Sequence, residues 1–109
     1  MAKERSFHKD INVKVHRKQL FRKSEWRRAV MSDIGRKGGR LLTREPLLEG
    51  YHVTIAITDP ETEREREFTA RVTRVATLDY GGKRIFEVFV EFVKLKREDI
   101  IMLENLFYI

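Results

Sequence analysis

Apolar and polar side chains alternate through most of the chain, and this alternation predicts a mostly β fold. The clearest stretch is Arg84–Val93, where apolar residues at the even positions predict a buried face and Glu87 and Glu91 predict a solvated one. A period of two is typical of half-buried strands, because successive side chains of a strand point to opposite faces. The same reasoning predicts six strands: Lys9–Arg17, Trp26–Met31, Arg40–Thr43, Tyr51–Thr58, Glu63–Ala76 and Arg84–Val93.

The pattern also predicts which side chains face the core. In the second strand it places Trp26 and Val30 on one face and Arg27 on the other, which favours packing of Trp26 in the core or at its rim. In the fifth strand the phase slips near Arg74–Val75, as a β-bulge would cause. The inward residues predicted for the other long strands are Ile11, Val13 and Val15; Val53, Ile55 and Ile57; Phe68, Ala70 and Val72; and Phe86, Val88, Val90 and Phe92.

Turn residues separate these strands. Asp59–Thr62 and Tyr80–Lys83 predict tight turns, the second of them a hairpin through Gly81 and Gly82. Gly35-Arg36-Lys37-Gly38-Gly39 has three glycines in five residues, which indicates either positive φ angles or a close approach of backbone.

After the last strand the apolar period changes from two to about 3.6. Glu98 and Asp99 suit a first helical turn, and a stripe follows that consists of Ile100, Leu103, Leu106 and Phe107. The prediction is a six-stranded antiparallel β-barrel with a C-terminal α-helix near residues 97–108. We expect one domain over residues 1–109, with residues 1–10 as a flexible N-terminal arm.

Charge is distributed unevenly along the chain. Residues 1–45 contain 14 Lys and Arg against 5 Asp and Glu, a net of +9, whereas residues 46–109 have a net of −3, giving +6 overall. The first half therefore favours anionic partners such as phosphates, nucleic acid or acidic proteins. There is no cysteine, which excludes disulfides and thiolate metal sites. With neither an apolar start nor a long apolar run, we expect a cytoplasmic protein without membrane insertion.

Residues for catalysis are few. Three serines and three scattered histidines, His8, His16 and His52, give no nucleophilic constellation and no spacing typical of a metal site. Glu61–Glu67 alternates Glu with Arg on a predicted strand, which is typical of a solvated hairpin. We therefore expect a binding protein without catalytic residues, metal or cofactor.

Two short segments combine cations, a carboxylate and exposed backbone. Arg5 and Lys9 flank Phe7 just before the first strand, and Asp33–Gly39 lies between the second and third strands. An Arg side chain can bond the O6 and N7 atoms of guanine, a carboxylate can accept its ring N–H groups, and backbone N–H groups with Arg or Lys bind phosphate. The pattern favours a guanine nucleotide as ligand.

The order and spacing of these segments resemble the PilZ domain family. That family is best known for receptors of the bacterial second messenger cyclic di-GMP, and it has an Arg-x-x-x-Arg motif followed by Asp/Asn-x-Ser-x-x-Gly. In this chain Arg5 occupies the first Arg position and Lys9 the second, and Asp33 and Gly38 occupy the ends of the second motif. The stretch Gly39–Gly50, the strand Phe86–Phe92 and the final helix are also similar to the family's pattern.

Two positions depart from the family pattern: Lys9 stands in place of Arg and Gly35 in place of Ser. The resemblance implies a ligand site that consists of Arg5, Lys9, Asp33, Gly35, Arg36 and Gly38. Loss of one guanine fork and one hydroxyl would weaken binding by roughly ten- to a thousandfold.

Three functions remain open at this level. The first is a receptor that binds cyclic di-GMP and signals to a protein partner. The second is a degenerate adaptor of the same family that acts through protein contact alone. The third is a small basic barrel that binds nucleic acid, which ranks last because the sequence lacks interleaved aromatic residues on which bases could stack.

Overall fold

Six strands and one helix follow one another in the order that the hydrophobic pattern predicts. The computed structural model describes residues 11–17, 26–59 and 61–107. The elements are β1 (Ile11–Arg17), β2 (Trp26–Ser32), β3 (Gly38–Thr43), β4 (His52–Thr58), β5 (Glu65–Tyr80), β6 (Lys83–Val93) and α1 (Arg97–Phe107). All strand pairs are antiparallel, in the order β1-β2-β3-β6-β5-β4, and β4 returns to β1 to close the barrel. The predicted barrel with a C-terminal helix is confirmed.

The interior of the barrel is filled by alternate residues of the strands. The predicted inward faces of β4 and β5 are buried, and so are Val13 and Val15 of β1. The rings of Phe68 and Phe92 pack with their centroids 5.4 Å apart and tilted, which is a favourable aromatic geometry. In β6, Val88, Val90 and Phe92 are buried, and Phe86 packs partly against the same core.

Trp26 and Val30 share a face of β2, as predicted, but that face is the outer one, so Trp26 does not pack in the core. Ala29 and Met31 face the core, whereas Trp26 is 43% exposed and its ring packs on the outer face against that of His16, with the ring centroids 5.0 Å apart. The pattern misled because β2 carries apolar residues on both faces. The register determines which face of β2 is inward. Ala29 pairs with the inward Val13, so Ala29 and Met31 face the core.

Strand boundaries also differ from the prediction. β3 begins at Gly38, two residues before the predicted Arg40, because its first two residues pair with Glu91 and Val90 of β6 despite the low strand propensity of glycine. β5 extends to Tyr80, and its register shifts between Val72 and Arg74. The bulge predicted near Arg74–Val75 therefore exists slightly earlier. The hairpin turn through Gly81 and Gly82 is confirmed, with φ angles of 53° and 83°.

Helix α1 is fixed to the barrel by Asp99. Its carboxylate accepts the N–H of Lys96 at 2.9 Å, which caps the helix start, and Nε of Arg66 on β5 at 2.6 Å. Burial alone would raise the pKa of Asp99, but these hydrogen bonds outweigh burial and lower the pKa below its ordinary value. The apolar contact is made by Met102 and Leu103.

The predicted stripe of the helix needs a correction. Leu103 is buried and Leu106 packs partly against the core, as predicted. Ile100 is only half-buried, and Met102 is buried in the core where the prediction had expected Ile100. Because Asp99 must face β5 to meet Arg66, the helix is rotated relative to its purely apolar stripe. The side chain of Phe107 lies outside what the structure describes, as do residues 1–10. Over the described ranges, no helix has the length and apolar character needed to cross a membrane.

Candidate functional site

The connection between β2 and β3 is a short turn that is anchored in the core by one side chain. Ile34 is buried and belongs to the core cluster, so the residues on either side of it, Asp33 and Gly35, are held at the surface. The N–H of Gly35 donates to the carbonyl of Gly38 at 2.7 Å and closes the turn. The N–H of Phe92 donates to the carbonyl of Lys37 at 2.7 Å, which ties the turn to β6.

Gly38 and Gly35 have different structural roles in this segment. At Gly38 a Cβ atom would lie 1.9 Å from the carbonyl oxygen of Val90, so no other residue fits where β3 crosses β6. At Gly35 the nearest atom to a Cβ would be 3.9 Å away and φ lies outside the left-handed region, so a side chain is accommodated there. The sequence suggested positive φ or close approach, and close approach is the reason at Gly38.

The left-handed residue of the turn is Asp33, with φ of 52°. Asp is one of the few non-glycine residues that adopt this conformation readily, because its short polar side chain can bond locally. Its carboxylate lies 3.3 Å from the guanidinium of Arg40, and the Asp33 side chain is 38% exposed. The turn therefore presents a partly exposed, ion-paired carboxylate at the surface of the barrel.

Arg40 connects this carboxylate to the outer face of the sheet. Its Nε donates to Oγ of Ser32 at 3.0 Å, and a terminal nitrogen donates to Oε2 of Glu87 at 2.7 Å. Ser32 is buried, and the Glu87 side chain is only 15% exposed. Charge-assisted hydrogen bonds of this kind fix the orientation of a guanidinium.

Arg36, a cation within the turn, faces the helix. Arg36 is exposed and forms an ion pair with Glu104 of α1. The turn therefore contacts α1 through Arg36 and β6 through Lys37. A ligand that recruited Arg36 would compete directly with Glu104.

The structure brings four of the six predicted site residues, Asp33, Gly35, Arg36 and Gly38, into one turn. Arg5 and Lys9 lie outside the described residues. Sequence reasoning missed Arg40, Ser32 and Glu87. Arg40 and Glu87 are identifiable only once the register is known, because it places both on the outer face of adjoining strands.

The turn has the chemistry of an anion- and base-binding surface. The Asp33 carboxylate can accept N–H donors, Arg36 and Lys37 supply positive charge, and the glycines keep the backbone accessible. In the part of the chain that the structure describes, no three His, Cys, Asp or Glu side chains are grouped as a metal ion would require.

Comparison with known protein families identifies the family of the chain. The family described as PilZ domain matches residues 3–108, which is nearly the whole chain and spans both motifs. The chain belongs to the PilZ domain family. The matched residues include the β2–β3 turn.

Solved structures with the same fold include MrkH of K. pneumonia. Its apo structure has 13% sequence identity and a TM-score of 0.71, and the match covers 94% of this chain and 48% of MrkH. A second MrkH crystal structure gives 11% identity and a TM-score of 0.73, with coverage of 99% and 49%. A third structure, titled "MrkH, A novel c-di-GMP dependence transcription regulatory factor", gives 15% identity and a TM-score of 0.63, with coverage of 89% and 44%.

The PilZ chain spans about half the length of these MrkH structures. At such low identity the likeness concerns the fold alone. No curated protein sequence matches the chain.

Proposed function

We propose that this PilZ domain is a receptor for cyclic di-GMP. The observation that carries the proposal is the β2–β3 turn, in which Asp33 presents a partly exposed carboxylate and Arg36, three residues on, an exposed cation, where the resemblance places the second family motif. The family match and the c-di-GMP dependence named for MrkH support the same ligand. The site is the predicted one: Arg5, Lys9, Asp33, Gly35, Arg36 and Gly38.

Each residue of the site has a distinct chemical task in this proposal. The carboxylate of Asp33 accepts the ring and amino N–H donors of one guanine. Arg5 bonds O6 and N7 of guanine as a fork, while Lys9 and Arg36 neutralise phosphate. Gly38 has no side chain that could block the ligand.

The departures from the family pattern set the expected strength of binding. Lys9 keeps the positive charge but lacks the planar fork of arginine and its stacking surface. Gly35 lacks the hydroxyl that the family serine supplies. We therefore expect binding in the micromolar range rather than tight binding.

The direct test is calorimetric titration of the wild-type chain with cyclic di-GMP, beside the variant Arg5→Ala. We expect measurable heat for the wild type and at least tenfold weaker binding for Arg5→Ala, because one bidentate guanine contact is lost. Arg28→Ala removes an exposed cation from the outer face of β2 and serves as the charge-matched control. Absence of heat and of any shift in melting temperature with millimolar ligand would refute the receptor function.

Signal output forms the second part of the proposal. Binding at the turn draws Arg36 away from Glu104 and changes the surface next to α1, which is how the domain would signal to a protein partner. The alternative is a degenerate adaptor with the same barrel that contacts its partner without nucleotide. A pull-down with and without cyclic di-GMP separates the two, because only the receptor has a ligand-dependent partner.

Nucleic acid remains the second candidate function, for one observation. Trp26 is exposed on the outer face of the barrel. Two residues further along β2, Arg28 lies on the same face, opposite Lys14 of β1. An exposed indole beside cations can stack on a base. Binding to unrelated DNA or RNA that persists at physiological salt, and is lost in Trp26→Ala, would favour this candidate over the nucleotide receptor.

A further inference from the structure

Arg40 stands at the centre of a polar cluster near the turn. Its guanidinium meets three acceptors, two at the end of β2 and one on β6: Oγ of Ser32 at 3.0 Å, Oδ2 of Asp33 at 3.3 Å and Oε2 of Glu87 at 2.7 Å. Neither family motif includes it. Its contact with Asp33 nevertheless places it directly behind the proposed ligand site.

The position of Arg40 in the barrel makes its side chain rigid. It lies on β3, which pairs with β2 on one side and β6 on the other, so Arg40 is opposite Ser32 and opposite Phe89. Two partners of its guanidinium, Ser32 and Glu87, are themselves largely buried. Among the described residues, no buried polar side-chain atom lacks a hydrogen-bond partner. Arg40 is therefore an anchor with a fixed orientation.

Asp33 has a partly exposed side chain on a left-handed residue and benefits from such an anchor. An ionised carboxylate has about four acceptor positions. The pair with Arg40 uses one position on Oδ2, so Arg40 itself does not exclude a guanine N–H donor from the carboxylate.

We propose that Arg40 is a positioning residue that aims the Asp33 carboxylate and so determines selectivity for guanine. The inference rests on the proposed receptor function and deepens it. The 2-amino group of guanine is the donor that distinguishes it from hypoxanthine. A carboxylate held at a fixed angle accepts a hydrogen bond from that donor without first having to be ordered. A freely rotating carboxylate discriminates less, because ordering it offsets part of the hydrogen bond.

The experiment measures two ligands with each protein. Cyclic di-GMP and its inosine analogue, cyclic di-IMP, which lacks both 2-amino groups, are titrated calorimetrically into wild type, Arg40→Gln, Arg40→Lys and Ser32→Ala. Arg27→Gln is the matched control, because Arg27 pairs with Glu45 at 3.0 Å at the opposite end of β2. Circular dichroism at the titration temperature verifies that each variant is folded.

We expect the wild type to prefer cyclic di-GMP by roughly ten- to a hundredfold, the worth of a hydrogen bond to a charged acceptor. In Arg40→Gln the preference falls to within about threefold, while Arg40→Lys keeps an intermediate preference because the charge remains. Ser32→Ala removes one hydrogen bond of Arg40 and lowers the preference for cyclic di-GMP in part. Arg27→Gln keeps the full preference.

A merely structural role of Arg40 predicts a different result. Both ligands would then weaken by the same factor in Arg40→Gln, and an unchanged preference would overturn the inference. If Arg40→Gln does not fold, an unchanged preference in Ser32→Ala and in Arg40→Lys overturns it equally. A wild type that binds neither ligand refutes the receptor function itself, and this inference with it, whereas wild-type binding without preference refutes the inference alone.

Discussion

Two turns of this barrel begin with an aspartate, and their carboxylates serve different ends. In the β4–β5 turn, Asp59 accepts the N–H of Glu61 at 2.8 Å, and its backbone N–H donates to Arg64 at 2.8 Å. This side chain stabilises its own turn, as an Asx turn does. In the β2–β3 turn, the carboxylate of Asp33 reaches Arg40, and through Arg40 it is connected to Glu87.

The difference shows how the same residue type can be structural at one turn and available for binding at another. The hydrogen bond from Arg66 to Asp99, which holds α1, raises the pKa of Arg66, and the charge of Asp59 adds to this in a minor way. The Asp59 end of the barrel is thus a closed network that serves stability. The Asp33 turn instead carries an ion pair at a surface where a ligand can approach.

The largest expected effect compares the two glycines at the ends of the Asp33 turn. Gly38→Ala should lower the free energy of unfolding by about 3 kcal/mol or more, because the added Cβ would overlap the carbonyl of Val90. Gly35→Ala should change it by less than about 1 kcal/mol, because the site is open. Chemical denaturation measures both. Equal losses would mean that the crossing of β3 and β6 at Gly38 is not as tight as described.

The next effect compares the two aspartates directly. Asp33→Gly removes the carboxylate yet tolerates the left-handed backbone, so we expect cyclic di-GMP binding to weaken by roughly ten- to a hundredfold. Asp59→Gly should leave binding unchanged and lower stability by about 1 kcal/mol through loss of its turn hydrogen bond. Calorimetry and denaturation of both variants test this. The comparison fails if Asp59→Gly weakens binding as much as Asp33→Gly.

A smaller expected effect is the pH dependence of stability that comes from Asp99, near the Asp59 turn. The folded pKa of Asp99 lies below its ordinary value, so its contribution to stability is present above about pH 4 and is lost as the pH falls through the folded pKa. We expect Asp99→Asn to be less stable than wild type at pH 7 and to lose less stability on acidification. Denaturation at pH 7 and pH 3 measures the change. A wild type and a variant with parallel pH profiles would contradict the ion pair with Arg66.

The smallest expected effects restore the family pattern at the Asp33 turn. Lys9→Arg should tighten cyclic di-GMP binding by about tenfold at most, because the fork returns. Gly35→Ser should tighten it several-fold, since φ and space at Gly35 permit the side chain. Calorimetric titration measures both. Neither change should affect stability by more than about 0.5 kcal/mol, and a double variant no tighter than wild type would assign the guanine contacts to other residues.

The sequence predicted more of the fold than of the site. Alternation located all six strands, because one face of each strand is solvated and the other buried, and the change to a period of about 3.6 located the helix. It misassigned β2, where both faces carry apolar residues, and it could not anticipate that α1 turns Asp99 toward Arg66. Those outcomes depend on register and on packing partners far along the chain.

For the site, local motifs identified the turn but not its support. Asp33 and Gly38 stand out by spacing, whereas Arg40 looks like an ordinary outward strand residue until β3 is placed beside β6. Arg5 and Lys9 lie outside the described residues, so their part in the site stays a prediction.

The pairing of Gly38 with Glu91 has a consequence for folding kinetics. The turn that carries Asp33 acquires its final shape only when β3 meets β6, and this pairing joins distant parts of the chain, as does the closure of β1 on β4. Contacts of such high sequence separation form slowly. We predict that the turn forms after the folding transition state, so a nucleotide bound there should slow unfolding and leave the folding rate almost unchanged. Stopped-flow measurements with and without cyclic di-GMP would detect this, and a ligand-dependent folding rate would mean that β3 and β6 pair early.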